Sequence, residues 1–309
     1  DMDAFYASVE LLRYPQLKGL PMVIGGGRRR ETEMFQRLRE TYPDLEWHEA
    51  PRASRRQLLR VHSESLLHAV LETKPHERIW LDPDTVLSPA SAEAGLRAAG
   101  AVVAAVELVL NGEVKRAFCA VRPPGHHATC SAAMGFCLFN SIAVGAAHAL
   151  EKFGLSRIAI ADFDVHHGNG TQSIFDLEPR VVFASSHQMP LYPDSGHVSE
   201  RGVQNIFNAP LPPGAGSAQF RDAWRNRLLP HLDAFRPQLL MISAGFDAHR
   251  RDPLAQLQLE ADDFEWITRE LVAIADRHAD GRVVSSLEGG YDLQGLRESC
   301  VAHIGALRA

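Results

Sequence analysis

The chain is poor in cysteine, with four in 309 residues and no CxxC pair among them. That is too few for a disulfide framework and the wrong pattern for a thiolate metal site, so a reducing, cytoplasmic compartment is expected. Positive charge is also scarce: Lys and Arg number 32 against 38 Asp and Glu, for a net charge of −6. A non-specific nucleic-acid binder needs a basic face, so no nucleic-acid partner is expected. The longest apolar stretch, Ala98–Leu110, is broken by Gly100 and Glu107. It falls short of the ~20 residues that a bilayer-spanning helix needs. No signal-peptide pattern opens the sequence, and no membrane partner is expected. Internal repeats and low-complexity tracts are lacking as well.

What is present is an alternation of helical and strand-like segments. Ser91–Leu110 is Ala-rich and helix-prone, with Ser91 as an expected N-cap. A strand follows at Lys115–Val121. Phe136–Phe153 reads as a helix closed by Gly154, and Arg157–Asp162 and Val181–Ser185 read as strands. Ala218–Phe235 and Asp262–Ala279 read as helices, and Gln238–Ser243 and Arg282–Ser286 as strands. Strands and helices alternating at these lengths predict a single α/β domain with a parallel sheet flanked by helices. Pro190–Gly216 reads as one long loop, and loops of that length usually carry function.

Four short motifs place metal- or proton-handling side chains where strands end: RPPGHHA at Arg122–Ala128, DFDVHHGNG at Asp162–Gly170, SAGFDAHRRDP at Ser243–Pro253 and LEGGYDL at Leu287–Leu293. Open parallel sheets gather their chemistry at the carboxyl ends of the strands. Asp164 and His166, two apart at a strand end, face the same way and can reach one ion. A carboxylate with an imidazole suits the zinc, iron or cobalt group better than magnesium or calcium. Asp247 is the best-placed third ligand, and three protein ligands leave an open position, as a catalytic site requires. Taken alone, a D-x-H pair is an ordinary polar loop element; with His126, His127, Asp247 and Tyr291 also at strand ends, a site is the better reading. His187, at another strand end, reads better as an ordinary loop histidine than as part of the site's rim. Asp252, beside Arg250 and Arg251, reads as a loop ion pair or helix cap.

These four motifs, in this order, resemble those of the histone deacetylase family, in the class II-like branch that includes bacterial deacetylase-like amidohydrolases and acetylpolyamine amidohydrolases. The resemblance covers roughly residue 50 to the end. It implies an arginase/deacetylase-like α/β fold and metal-dependent hydrolysis of an N-acyl amide of lysine or a polyamine. By that likeness Asp164, His166 and Asp247 match the ligands of one Zn2+ per chain. His126 and His127 match the tandem catalytic histidines, with Asp162 and Asn169 as their partners, and Tyr291 matches the tyrosine that polarises the acyl oxygen. Asp162, Asp164, His166, Ser185 and Ser186 match a site for a monovalent cation such as K+. Gly135, Phe136, Tyr192 and Gly289 match the substrate tunnel. Tyr192 and Phe163 depart from the family, which commonly has Phe and Trp there.

The chemistry expected is attack of a metal-activated water on the amide. His127 takes and returns the proton, His126 beside Asp162 stays positively charged, and Tyr291 donates to the developing oxyanion. Two other readings use the same residues. A binuclear manganese hydrolase of arginase type needs D-x-H-x-D, but Gly168 stands where the last carboxylate would be. A non-catalytic acyl-lysine binder leaves the filled catalytic positions without a purpose.

The first thirty residues differ. DMDAFYASVELLRYPQLKGLPMVIGG resembles the amino-terminal motif of Y-family DNA polymerases, in which Asp1 would bind magnesium and Tyr6 would screen the sugar. The expected division is a foreign-looking segment at 1–30, a fusion or fragment, and a catalytic domain at 31–309. No HPE element of the deacetylase type occurs, which predicts an altered sheet edge and tunnel wall.

Overall fold

The computed structural model describes residues 22–24 and 33–309. Most of the polymerase-like motif, including Asp1 and Tyr6, lies outside the described residues. An eight-stranded, wholly parallel sheet forms the centre. Its strands in chain order are β1 (Met22–Ile24), β2 (Glu46–His48), β5 (Arg116–Cys119), β6 (Ile158–Asp162), β7 (Val181–Gln188), β8 (Ile206–Leu211), β9 (Leu239–Ala244) and β10 (Val283–Leu287). Across the sheet they run β2-β1-β5-β10-β9-β6-β7-β8. A separate antiparallel hairpin joins β3 (Ile79–Asp82) to β4 (Thr85–Leu87). The four strands that precede the motifs, β5, β10, β9 and β6, are consecutive neighbours, so their carboxyl-end loops must meet. Registers such as Asp162↔Ser243 and Asp162↔Ser185 keep these ends level.

Strands buried on both faces read as continuous apolar runs. Ile158 and Ile160 of β6, with Leu239 and Met241 of β9, face α4 (Ser91–Leu110) and α5 (Ser141–Phe153). Ala159, Ala161, Leu240 and Ile242 face α9 (Ala261–His278) and α10 (Leu293–Arg308). Phe163, which follows β6, is fully buried against Phe246, Phe264 and His303. It belongs to the core rather than to a tunnel wall.

Several sequence expectations need correction. The α4 N-cap is Ala90, not Ser91, whose hydroxyl instead accepts from Ser88 N at 2.9 Å. The segment Phe136–Phe153 becomes helical only at Ser141, because Asn140 caps it by accepting from Ala143 N at 3.1 Å. Phe136 itself sits in the left-handed region at φ 64°, incompatible with a helix. Ala218–Phe235 is not one regular helix: α7 (Ser217–Ala223) and α8 (Leu229–Phe235) are separated by a wider turn at Trp224–Leu228. Pro230 sits in the first turn of α8, where its missing N–H does no harm. The expected loop Pro190–Gly216 contains the edge strand β8, paired to β7 from Phe183↔Ile206 to Gln188↔Leu211. Strand β1, on the polymerase-like side of residue 30, pairs with both β2 and β5.

Candidate active site

The loop after β6 turns sharply enough for Asp164 and His166 to lie together. Asp164 accepts from His166 N at 2.9 Å, and the His166 Nδ1 lies 3.2 Å from Asp164 Oδ1 and 3.1 Å from Asp247 Oδ2. One potential donor atom from each of Asp164, His166 and Asp247 lies within 4.8 Å of the others. The loops are tied across the sheet: Asp247 accepts from Val165 N at 2.9 Å, and Asp164 accepts from Gly289 N at 2.8 Å. Only glycine fits at 289, because a Cβ there would fall on the Asp247 carboxylate.

The electrostatics are those of a place that wants a cation. Burial, with the Asp164 charge beside it, pushes the Asp247 carboxyl up to about 7. Burial also acts on Asp164, yet His126 and His166 hold its pKa well below the usual carboxylate range. Burial opposes the charge of His166, but Asp164 and Asp247 together raise it to about 10. Two buried carboxylates and one imidazole at this spacing fit a divalent ion of the zinc group.

The tandem histidines have different partners. His126 Nδ1 lies 3.0 Å from Asp162 Oδ2, and its Nε2 3.8 Å from Asp164 Oδ1. Burial works against a charge on His126, but Asp162 and Asp164 outweigh it and raise its pKa well above the ordinary value. His127 Nδ1 lies 2.8 Å from Asn169 Oδ1, an acceptor, so Nδ1 carries the proton and Nε2 keeps its lone pair. Burial, and then the charge of His126, press its pKa well down. The two rings are 4.1 Å apart.

Tyr291 is held by its own N–H, which donates to Asp252 Oδ2 at 2.8 Å, and its ring stands edge-on to Phe136 at 6.0 Å. Gly135 N donates to Asp84 Oδ1 and Phe136 N to Thr85 Oγ1, both at 3.1 Å, so the β3–β4 hairpin fixes that wall. A cavity of about 220 Å³ joins His126, His127, His166, Gly135, Phe136, Tyr192, Gly289 and Tyr291. Tyr192 packs edge-on to His127 at 5.2 Å and is 38% exposed, which puts it at the mouth.

Ser185 lies level with Asp162 on the neighbouring strand, but its hydroxyl is 3.0 Å from His187 Nδ1. Ser186 turns its hydroxyl to the other face, where it accepts from Trp224 Nε1 at 2.9 Å, so its side chain does not join Asp162 and Ser185. His187 is neither a loop nor a rim residue: it is fully buried within β7, as every residue of that strand is, with Nε2 3.0 Å from Gly196 O. Sequence reasoning also missed Asp252 as the support of Tyr291. It gave no role to Arg122 and Glu288, although both lie inside the motifs. Their contacts are made with backbone groups about 160 residues away, which no local pattern reveals.

A family model described as the histone deacetylase domain matches residues 27–307. A second, the impB/mucB/samB family, matches residues 1–39, the stretch that carries the polymerase-like motif. The type-2 histone deacetylase 2 of Dictyostelium discoideum is 42% identical over 244 residues, which is 72% of this chain but only 14% of that much longer protein. A histone deacetylase-like amidohydrolase of Pseudomonas aeruginosa is 41% identical over 254 residues, 80% of this chain and 66% of the relative. Among solved structures, the crystal structure of the HDA15 HD domain superposes with a TM-score of 0.87 at 30% identity, covering 94% of this chain and 88% of that one.

Proposed function

Because this chain belongs to the histone deacetylase family, we propose that it is a zinc-dependent hydrolase of N-acyl amides carried by lysine or a polyamine. One observation carries the reading: two differently partnered histidines, a tyrosine and His166 line a single cavity, and His166 clusters there with Asp164 and Asp247 as a three-ligand set. Asp164, His166 and Asp247 would hold the ion, whose Lewis acidity polarises an amide carbonyl and eases deprotonation of a water. His127, with its Nε2 lone pair free, accepts that water's proton and delivers it to the departing amine. His126, salt-bridged to Asp162, remains an imidazolium and stabilises negative charge. The Tyr291 hydroxyl donates to the acyl oxygen as it gains charge. Phe136 and Tyr192, which both line the cavity, would flank the linear chain of the substrate.

A one-metal site is favoured over a two-metal one by Gly168. A Cβ at that position would run into Asp162 Oδ2 and lie 3.2 Å from His126 Nδ1, so the His126–Asp162 pair already fills the space of a second ion's carboxylate. Asp162 and Ser185 together support a monovalent cation such as K+ behind the ligand loop. The test is a screen of acetyl-lysine peptides and acetylpolyamines, with metal content measured on the same sample. Turnover of one class with about one zinc-group ion per chain is expected. No amide hydrolysis by the metal-loaded protein would overturn the reading.

A further inference from the structure

The loops that carry the histidines and the tyrosine leave adjacent strands, since Cys119 of β5 pairs with Ser286 of β10. Each loop reaches across and grips the backbone of the other. From the histidine loop, Arg122 donates through Nη1 to Glu288 O at 2.7 Å and through Nη2 to Gly290 O at 2.8 Å. From the tyrosine loop, the Glu288 carboxylate accepts through Oε2 from Gly125 N at 2.6 Å and His126 N at 3.2 Å. Its other oxygen accepts from Ser243 Oγ at 3.1 Å, and Glu288 is fully buried.

The two carbonyls held by Arg122 flank Gly289, whose N–H points the opposite way, to Asp164. The Glu288–Gly289 peptide is therefore fixed in orientation, its carbonyl to the guanidinium and its N–H to a ligand carboxylate, and the Gly290–Tyr291 peptide is fixed between the guanidinium and Asp252. Arg can do this because its planar fork presents two donors at a set spacing; a lysine ammonium cannot span both carbonyls in the same way. Glu288 likewise sets the direction in which the tandem histidines leave their turn. We infer that Arg122 and Glu288 are paired positioning residues, a crossed clamp that fixes the span between the His126–His127 pair and Tyr291. Neither touches the reacting atoms. The inference rests on the hydrolase reading for its kinetic consequence, while the clamp itself is a property of the backbone that can be measured without turnover. Misplacement of a reacting group by about 1 Å costs on the order of 100-fold in rate, so a device that sets this span governs kcat.

The experiment uses the full chain with Arg122→Lys, Glu288→Gln and Glu288→Ala, each alone, and with Arg122→Lys also added to Tyr291→Phe. Arg122→Lys and Glu288→Ala are expected to lower kcat by about 10–100-fold at unchanged KM and metal content. Glu288→Gln should recover most of the activity, because a carboxamide oxygen can accept both N–H groups while its NH2 faces Ser243 Oγ. In the Tyr291→Phe background the Arg122→Lys loss should shrink to about 3-fold or less, since groups that act as a unit are not additive. Hydrogen exchange gives the activity-independent arm. Glu288→Ala should speed exchange at Gly125 and His126, and Arg122→Lys at Gly289 and Tyr291. Unchanged exchange, full additivity with Tyr291→Phe, or Gln as damaging as Ala would each overturn the clamp. If the crossed exchange pattern appears but the wild-type protein hydrolyses no amide, the clamp stands and the hydrolase reading falls.

Discussion

Replacing Asn169 by aspartate would alter one interaction, the partner of His127, at almost constant shape. The Asn169 Oδ1 lies 2.8 Å from His127 Nδ1, which puts a new carboxylate charge about 4 Å from the centre of an imidazolium charge. At an effective dielectric constant of about 20, two charges at that separation attract by about 4 kcal/mol. With about 1.4 kcal/mol per pKa unit, the limit is roughly three units. The new carboxylate carries its own burial cost, so a rise of about 1–3 units in the His127 pKa is expected. The positive His126 ring, 4.1 Å away, continues to push it down. In kcat/KM against pH, the acid limb reports the base of the free enzyme and should move to higher pH by that amount. At a fixed pH on that limb, the rate should fall about 10-fold per unit. Profiles on an acetyl-lysine peptide, with metal content checked, would measure it. An acid limb that stays in place with metal bound would show that His127 is not the base.

Tyr291→Phe should cost about 100- to 1000-fold in kcat through loss of an oxyanion donor, with metal stoichiometry unchanged by elemental analysis; substantial activity would sink the role given to Tyr291. His62 should make the fold acid-sensitive: burial lowers its pKa from 6.5 to about 4, outweighing the opposing pull of Thr129 O on Nδ1, while Nε2 accepts from Asn140 N, both at 2.9 Å. Below pH 6.5 the unfolded chain takes a proton that the folded one refuses, so stability falls from that pH down to about pH 4 by about 3 kcal/mol in all. Denaturation followed across this range should show a shallower slope in His62→Gln, and an identical slope would refute the assignment.

The metal cluster was legible in the sequence because each motif carries its chemistry within a few residues of a strand end, whereas the histidine partners came only from the family resemblance. Asp164 and His166 need only the two-residue alternation to share a face, and Asp247 needs only a strand before it. Other features depend on contacts that distance along the chain conceals. Arg122 and Asp252 grip backbone groups on a loop about 166 and 39 residues away. Strand β8 escaped because Asn208 and Pro210 interrupt its apolar pattern, and its place at the sheet edge tolerates both. Phe136 was read into a helix because its apolar neighbours suit one; the left-handed backbone is imposed by Asp84 and Thr85 from the hairpin.

The strand order also dictates when, during synthesis, the site comes into being. By the time Leu211 has been made, β5 through β8 exist, yet β5 and β6 never pair with each other. Between them lies a slot two strands wide, roughly 10 Å at the usual strand spacing. Only β9 and β10, the last strands among the described residues, fill it, and they bring Asp247 and Tyr291 with them. Such long-range closure makes folding slow and exposes two apolar strand edges on the nascent chain. Because the histidines and the first two ligands wait on either side of that slot, the ribosome must deliver the chain through Tyr291 before any catalytic centre is assembled.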